Sequence, residues 1–142
     1  MHRLKDSSLC ETLARPGELT LAFIDGHHGH PWPLADVMQL LPLFHHDGWI
    51  VMHDIDLAGL VDEVRASGAP VSVEPRFGAQ YVFVHWPDEK IGARNIGAIK
   101  VPADRSSLGN FVEELRGLAG EVSEGSWKKR WRDIDELAKK AC

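Results

Sequence analysis

The chain has 142 residues, of which 44% are hydrophobic and 26% charged; that balance supports one globular domain with a sizeable core and excludes a disordered chain. Its formal net charge of −5 argues against a polyanionic partner, so no nucleic-acid binding is expected. No apolar stretch approaches the roughly 20 residues of a membrane span, no apolar signal core follows Met1, and Cys10 and Cys142 form no CxxC pair, so a cytoplasmic protein without membrane contact is expected.

In chain order, DSSLCETLAR (6–15) opens with cap-type residues and places Leu9, Leu13 and Ala14 on one side of a short predicted helix, ended by Pro16 and Gly17. LTLAFI (19–24) is an apolar run that reads as a strand buried on both faces. HGHPWP is a loop, with Pro33 suited to the first turn of the next helix, LADVMQLLPLF (34–44). HHDG is a turn, and GWIVMH (48–53) is a second buried strand. Strand, helix and strand over about 35 residues form the pattern of a parallel βαβ unit.

LAGLVDEVRAS (57–67) reads as a helix despite Gly59. GAQYVFVHW (78–86) mixes strand propensity with helical spacing of Ala79, Val82, Phe83 and Trp86, and the spacing predicts a helix. NIGAIKVP (95–102) reads as a late strand and SLGNFVEELRGLAG (107–120) as an amphipathic helix. The tail, SWKKRWRDIDELAKKA (126–141), is a further predicted helix. Its Trp127, Trp131, Ile134 and Ala138 share one face, which favours a core stripe over stacking on RNA.

Two apolar strands end in acid: Asp25 after 19–24 and Asp54 after 48–53. If the strands are parallel neighbours, about 4.8 Å apart, both carboxylates reach the crevice at the carboxyl edge of the sheet, where open α/β folds bind ligands. Two carboxylates suit Mg²⁺, while histidine at 53 or 27 shifts the preference toward Mn²⁺, Fe²⁺ or Zn²⁺. A neutral histidine there also suits a general base. The chain has eight histidines, three of them within 27–30, and consecutive ones cannot all face one ligand. His45 and His46 read as silent turn residues, and Asp36, Asp47 and Asp56 as cap or turn residues.

The run LAFIDGHHGHPWPLADVMQLLPLFHHDGWIVMHDIDL resembles the C-terminal half of class I S-adenosylmethionine-dependent methyltransferases, in particular the group with macrocin-type O-methyltransferases and cephalosporin-hydroxylase-like proteins. IDGHH, Asp36, LPLF, HDGW and IVMHD follow that group's order and spacing; LKDSSLCETL upstream and NIGAIKV downstream extend the resemblance over residues 3–101. It implies an α/β fold: a partial Rossmann-like, mostly parallel sheet with flanking helices, in a single domain over 1–142 with a helical tail at 107–141. It also implies that Asp25 and Asp54 hold a divalent metal, Mg²⁺ first, with His53 as a further ligand. His27 takes the place of a catalytic base, and Asp6 and Ser7 lie in the segment against the adenine of S-adenosylmethionine. The acceptor would be a small hydroxylated molecule.

The sequence departs from that group in three places. It contains no glycine-rich turn of the GxGxG kind, His27 replaces an acid, and Asp47 replaces a glycine. The expected protein is therefore the half of the fold without the glycine-rich units, and the exposed sheet edge implies a homo-oligomer or a partner chain that completes the sheet. Two other functions compete. One is a metal-dependent hydrolase or oxygenase using Asp25, His27 or His28, His53 and Asp54; the other is a non-catalytic interaction module of methyltransferase descent.

Overall fold

The apolar run Leu19–Ile24 forms strand β1 and pairs in parallel with β2 (Phe44–His53), with Ala22 opposite Ile50 and Ile24 opposite Met52. This is a computed structural model that describes residues 14–27, 29–68, 77–118 and 126–141. The crossover between the strands is α1 (Trp32–Leu40), buried on most sides through Leu34, Val37 and Met38, as an almost wholly apolar helix must be. Its continuation to Phe44, expected from sequence, stops because Pro42 has no N–H to donate. Leu41–Leu43 instead tighten into a 3₁₀ turn.

Beyond β2 come α2 (Leu57–Ala66), α3 (Gly78–His85), β3 (Lys90–Ala93), β4 (Ile96–Lys100), α4 (Leu108–Leu118) and α5 (Ser126–Ala141). The helix reading of 78–86 holds against its strand propensity because Ala79, Val82 and Trp86 bury one face against the core. The predicted helix at 6–15 falls mostly outside the described residues, and Ala14 and Arg15 are not helical.

The sheet is mixed, in the order β1-β2-β4-β3. The expectation of a mostly parallel sheet is corrected here: among the described strands only β1 and β2 pair in parallel, because β4 enters between β2 and β3 and runs antiparallel to both. Strand β3 escaped sequence reading, since a four-residue strand with every residue exposed carries no periodic signal. Gly92 and Gly97 face each other across β3 and β4; a Cβ on either would meet Phe83 and Ile55 at 2.5–2.9 Å, so their absence of side chain lets α3 sit close.

One face of the sheet supplies the core, with Ile50, Met52 and Ile99 fully buried under α1, α3, α4 and α5. Trp131 and Ile134 of α5 join this core, as the shared helical face predicts. The other face is open among the described residues. Phe23, Val51, Ala98 and Ile91 lie in one cross-strand row, and Phe23 and Ile91 remain 57% and 60% exposed. The expectation that β1 is buried on both faces is therefore corrected: only Ile24 is buried, Leu19 and Ala22 are half-buried, and Thr20, Leu21 and Phe23 are exposed. Among the described residues no helix is long and apolar enough to cross a membrane.

Candidate functional site

Parallel pairing carries the ends of β1 and β2 to the same sheet edge. Ile24 is opposite Met52, so Asp25 follows beside His53, and Asp54 comes next. The three predicted residues do meet. His53 Nδ1 is 3.0 Å from Asp54 Oδ1 and 3.7 Å from Asp25 Oδ1. The Asp25 oxygen is too distant and the Asp54 oxygen off-direction for a good hydrogen bond, so proximity and charge define the contact. The Asp25 side chain is half exposed, while that of Asp54 is 10% exposed.

Asp54 is held in an unusual conformation. Its φ is +64°, in the left-handed region that a non-glycine residue enters at a cost of roughly 1–2 kcal/mol. Asn95 over-determines that turn. Its Nδ2 donates to Asp54 Oδ1 at 2.7 Å, its carbonyl accepts from the Asp54 N–H at 2.9 Å, and its Oδ1 accepts from the Asp56 N–H at 3.1 Å. Asn95 reaches this point because the antiparallel β4 starts opposite His53, which puts the Arg94–Asn95 hairpin turn at the carboxyl edge of β2. Arg94, also at positive φ (+54°), makes that two-residue turn possible. Sequence reading missed Asn95 because it missed β3; a hairpin reading of KIGA-RN-IGAIK would have marked it.

The neighbouring residues have other tasks. Asp56 caps α2, its Oδ1 accepting from the Gly59 N–H at 3.1 Å, as a cap reading expects. His27 is exposed, accepts the Gly29 N–H on Nδ1 at 3.1 Å and leans on Trp32 with ring centroids 5.3 Å apart. With that lone pair engaged, the neutral ring carries its proton on Nε2 and offers a donor. His30 is buried: Nε2 lies 3.0 Å from the Leu115 carbonyl, and Tyr81 and Trp131 meet its ring edge-on. Burial lowers its pKa to about 4, against a smaller upward pull from the Leu115 carbonyl, so this histidine is a neutral core residue at physiological pH. Asp6, Ser7 and His28 lie outside the described residues.

In donor type, Asp25, His53 and Asp54 fit a divalent cation. In spacing they are looser than a closed site: among the described residues, only His45, His46 and Asp47 bring three such ligand atoms within 4.8 Å of one another. An open groove of about 440 Å³ between α4 and α5 includes none of these residues, and its charges are engaged in the Arg116–Asp135, Arg116–Glu113 and Lys139–Glu136 pairs. Comparison with protein-family models, with curated proteins and with solved structures finds no match to this chain.

Proposed function

We propose that this chain is the acceptor-side half of a class I methyltransferase-like assembly that methylates a hydroxyl group of a small molecule. The observation that supports it is the convergence of Asp25 and Asp54 on His53 at the carboxyl edge of the parallel pair, with Asp54 fixed by Asn95. Ligands of open α/β sheets bind at that edge, and a backbone strained and pinned at one residue there is typical of a working site. Asp25, His53 and Asp54 would hold a divalent ion, and its contribution is Lewis acidity toward the acceptor hydroxyl. The protein's own part is to orient. Asn95 fixes the Asp54 carboxylate, and the solvent-facing Asp25 carboxylate is left to adjust and to accept the proton the hydroxyl loses, because His27 has its Nδ1 lone pair engaged by the Gly29 N–H.

The chain's residues do not fit the whole of S-adenosylmethionine, because the sequence has no glycine-rich turn to approach its methionine and ribose parts. We assign that task to a polypeptide segment other than these 142 residues that completes the sheet at β1, since a second copy lacks the same turn. Nothing in LTLAFI guards this edge: it has no lysine, no proline and no charge, and Leu21 and Phe23 are exposed. The same edge favours the second reading, an interaction module without catalysis.

Calorimetric titration of the 142-residue chain with S-adenosylhomocysteine, with and without Mg²⁺, separates the two. Binding that Asp25→Ala or Asp54→Ala weakens only in the Mg²⁺ arm supports the methyltransferase reading. Absence of both S-adenosylhomocysteine and Mg²⁺ binding, by a chain that sedimentation shows to be oligomeric, supports the interaction module. A stable monomer that binds neither S-adenosylhomocysteine nor Mg²⁺ refutes both.

A further inference from the structure

At the opposite end of β2 the ladder with β1 breaks in a particular way. Leu19 is opposite Phe44 and Leu21 is opposite Trp49, so a single residue of β1 faces four of β2. The surplus is pushed out of the sheet as a large bulge, and the residues pushed out are His45, His46 and Asp47, all exposed. Sequence reading took this stretch as a silent turn. Bulges of this kind re-aim side chains and are built features of a fold.

Both ends of the bulge are anchored. The Gly48 carbonyl accepts from the Val101 N–H at 2.8 Å, and the other end is held by Phe44 through packing. Phe44 itself is buried, and its ring folds under Gly48 so closely that a Cβ there would run into it. The backbone on either side is thus held while three metal-ligating side chains project together.

The three side chains crowd together, and the stacked rings need only turn about their own bonds to aim both nitrogens at one ion. The two imidazole rings lie with centroids 4.0 Å apart and planes 31° from parallel. His46 Nε2 is 3.5 Å from Asp47 Oδ2, and one ligand atom from each of the three residues lies within 4.8 Å of the other two. The Asp47 N–H approaches His45 Nδ1 only at 3.4 Å, beyond ordinary hydrogen-bond length, so the contact holds that lone pair weakly. The nearby Lys100 ammonium is paired with Glu89 at 3.1 Å, which offsets its repulsion of a second cation.

We propose that the His45–His46–Asp47 bulge is a surface site for a borderline divalent transition metal of the Zn²⁺ class, with coordination positions left open to water or an outside ligand. Two imidazole nitrogens and one carboxylate select such ions over Mg²⁺, which prefers oxygen donors and keeps its waters. Three protein ligands leave at least one position of a tetrahedral zinc free. The site is separate from Asp25, His53 and Asp54, which lie at the other end of the same strand.

Calorimetric titration of the full chain with Zn²⁺ near neutral pH tests it. The expected result is one equivalent that remains bound in His53→Ala, where the Asp25–His53–Asp54 group no longer contributes, and the other variants are made in that background. His45→Ala and His46→Ala should each weaken binding by more than about tenfold, a loss that even an outer-shell partner can cause. These side chains are exposed, so circular dichroism should show unchanged folding in both variants. Excess Mg²⁺ should not displace the zinc. Absence of Zn²⁺ binding, binding lost in His53→Ala, binding retained in His45→Ala and His46→Ala, or displacement by Mg²⁺ would each overturn the proposal.

Discussion

His30 gives the sharpest quantitative test of the packing. It is 5% exposed, its Nε2 sits 3.0 Å from the Leu115 carbonyl, and burial lowers its pKa from 6.5 to about 4. The sign follows from linkage. The unfolded chain takes up the proton at a higher pH than the folded chain, so acid favours unfolding. His30 costs nothing well above pH 6.5, and stability is lost as pH falls through the window from 6.5 to about 4. At about pH 5 the unfolded imidazole is mostly protonated and the folded one mostly neutral, which removes about 2 kcal/mol; below both pKa values the loss approaches about 3 kcal/mol. Carboxylates also respond to acid, so the comparison needs a variant that removes only this titration. His30→Gln keeps a donor for the Leu115 carbonyl and carries no ionisable group. Urea denaturation of both proteins at about pH 7.5 and about pH 5 should show the unaltered protein losing about 2 kcal/mol more than the variant. Parallel losses would mean that His30 titrates like an exposed histidine, and the burial argument would fail.

Three further outcomes follow from the backbone. Asn95→Ala removes the donor to Asp54 Oδ1 and the acceptor of the Asp56 N–H; a loss of about 2–3 kcal/mol is expected in thermal or urea unfolding, since one of the bonds is to a carboxylate. Gly48→Ala drives a methyl group into the Phe44 ring and should cost about 1–3 kcal/mol; an unchanged denaturation midpoint would show that the bulge is not anchored as described. Arg94→Gly relieves a residue at φ +54° and should raise stability by about 0.5–1 kcal/mol, measured by the urea midpoint. A decrease there would mean that the arginine side chain, not the turn conformation, sets the balance.

The meeting of Asp25, His53 and Asp54 was legible in the order of residues, because an apolar run that ends in acid, then a helix, then a second such run permits few arrangements. The helices at 108–118 and 126–141 were legible from spacing alone, since their apolar positions repeat with the helical period, whereas 57–66 carried Gly59 against it and 78–85 an equal strand propensity. Neither local pattern carries information about partners distant in sequence. Asn95 secures Asp54 only because β4 runs antiparallel beside β2, and the antiparallel entry of β4 turns the expected parallel sheet into a mixed one. His30 looked like its neighbours in HGHPW, yet contacts with Tyr81, Leu115 and Trp131 make it a neutral core residue. His45, His46 and Asp47 read as a turn, and only the mismatch between Leu19–Leu21 and Phe44–Trp49 pushes them out together. Hydrophobic period is a property of adjacent residues and is written into the chain. Register, strand direction and the surroundings of a side chain depend on segments tens of residues apart, and only the assembled core decides them.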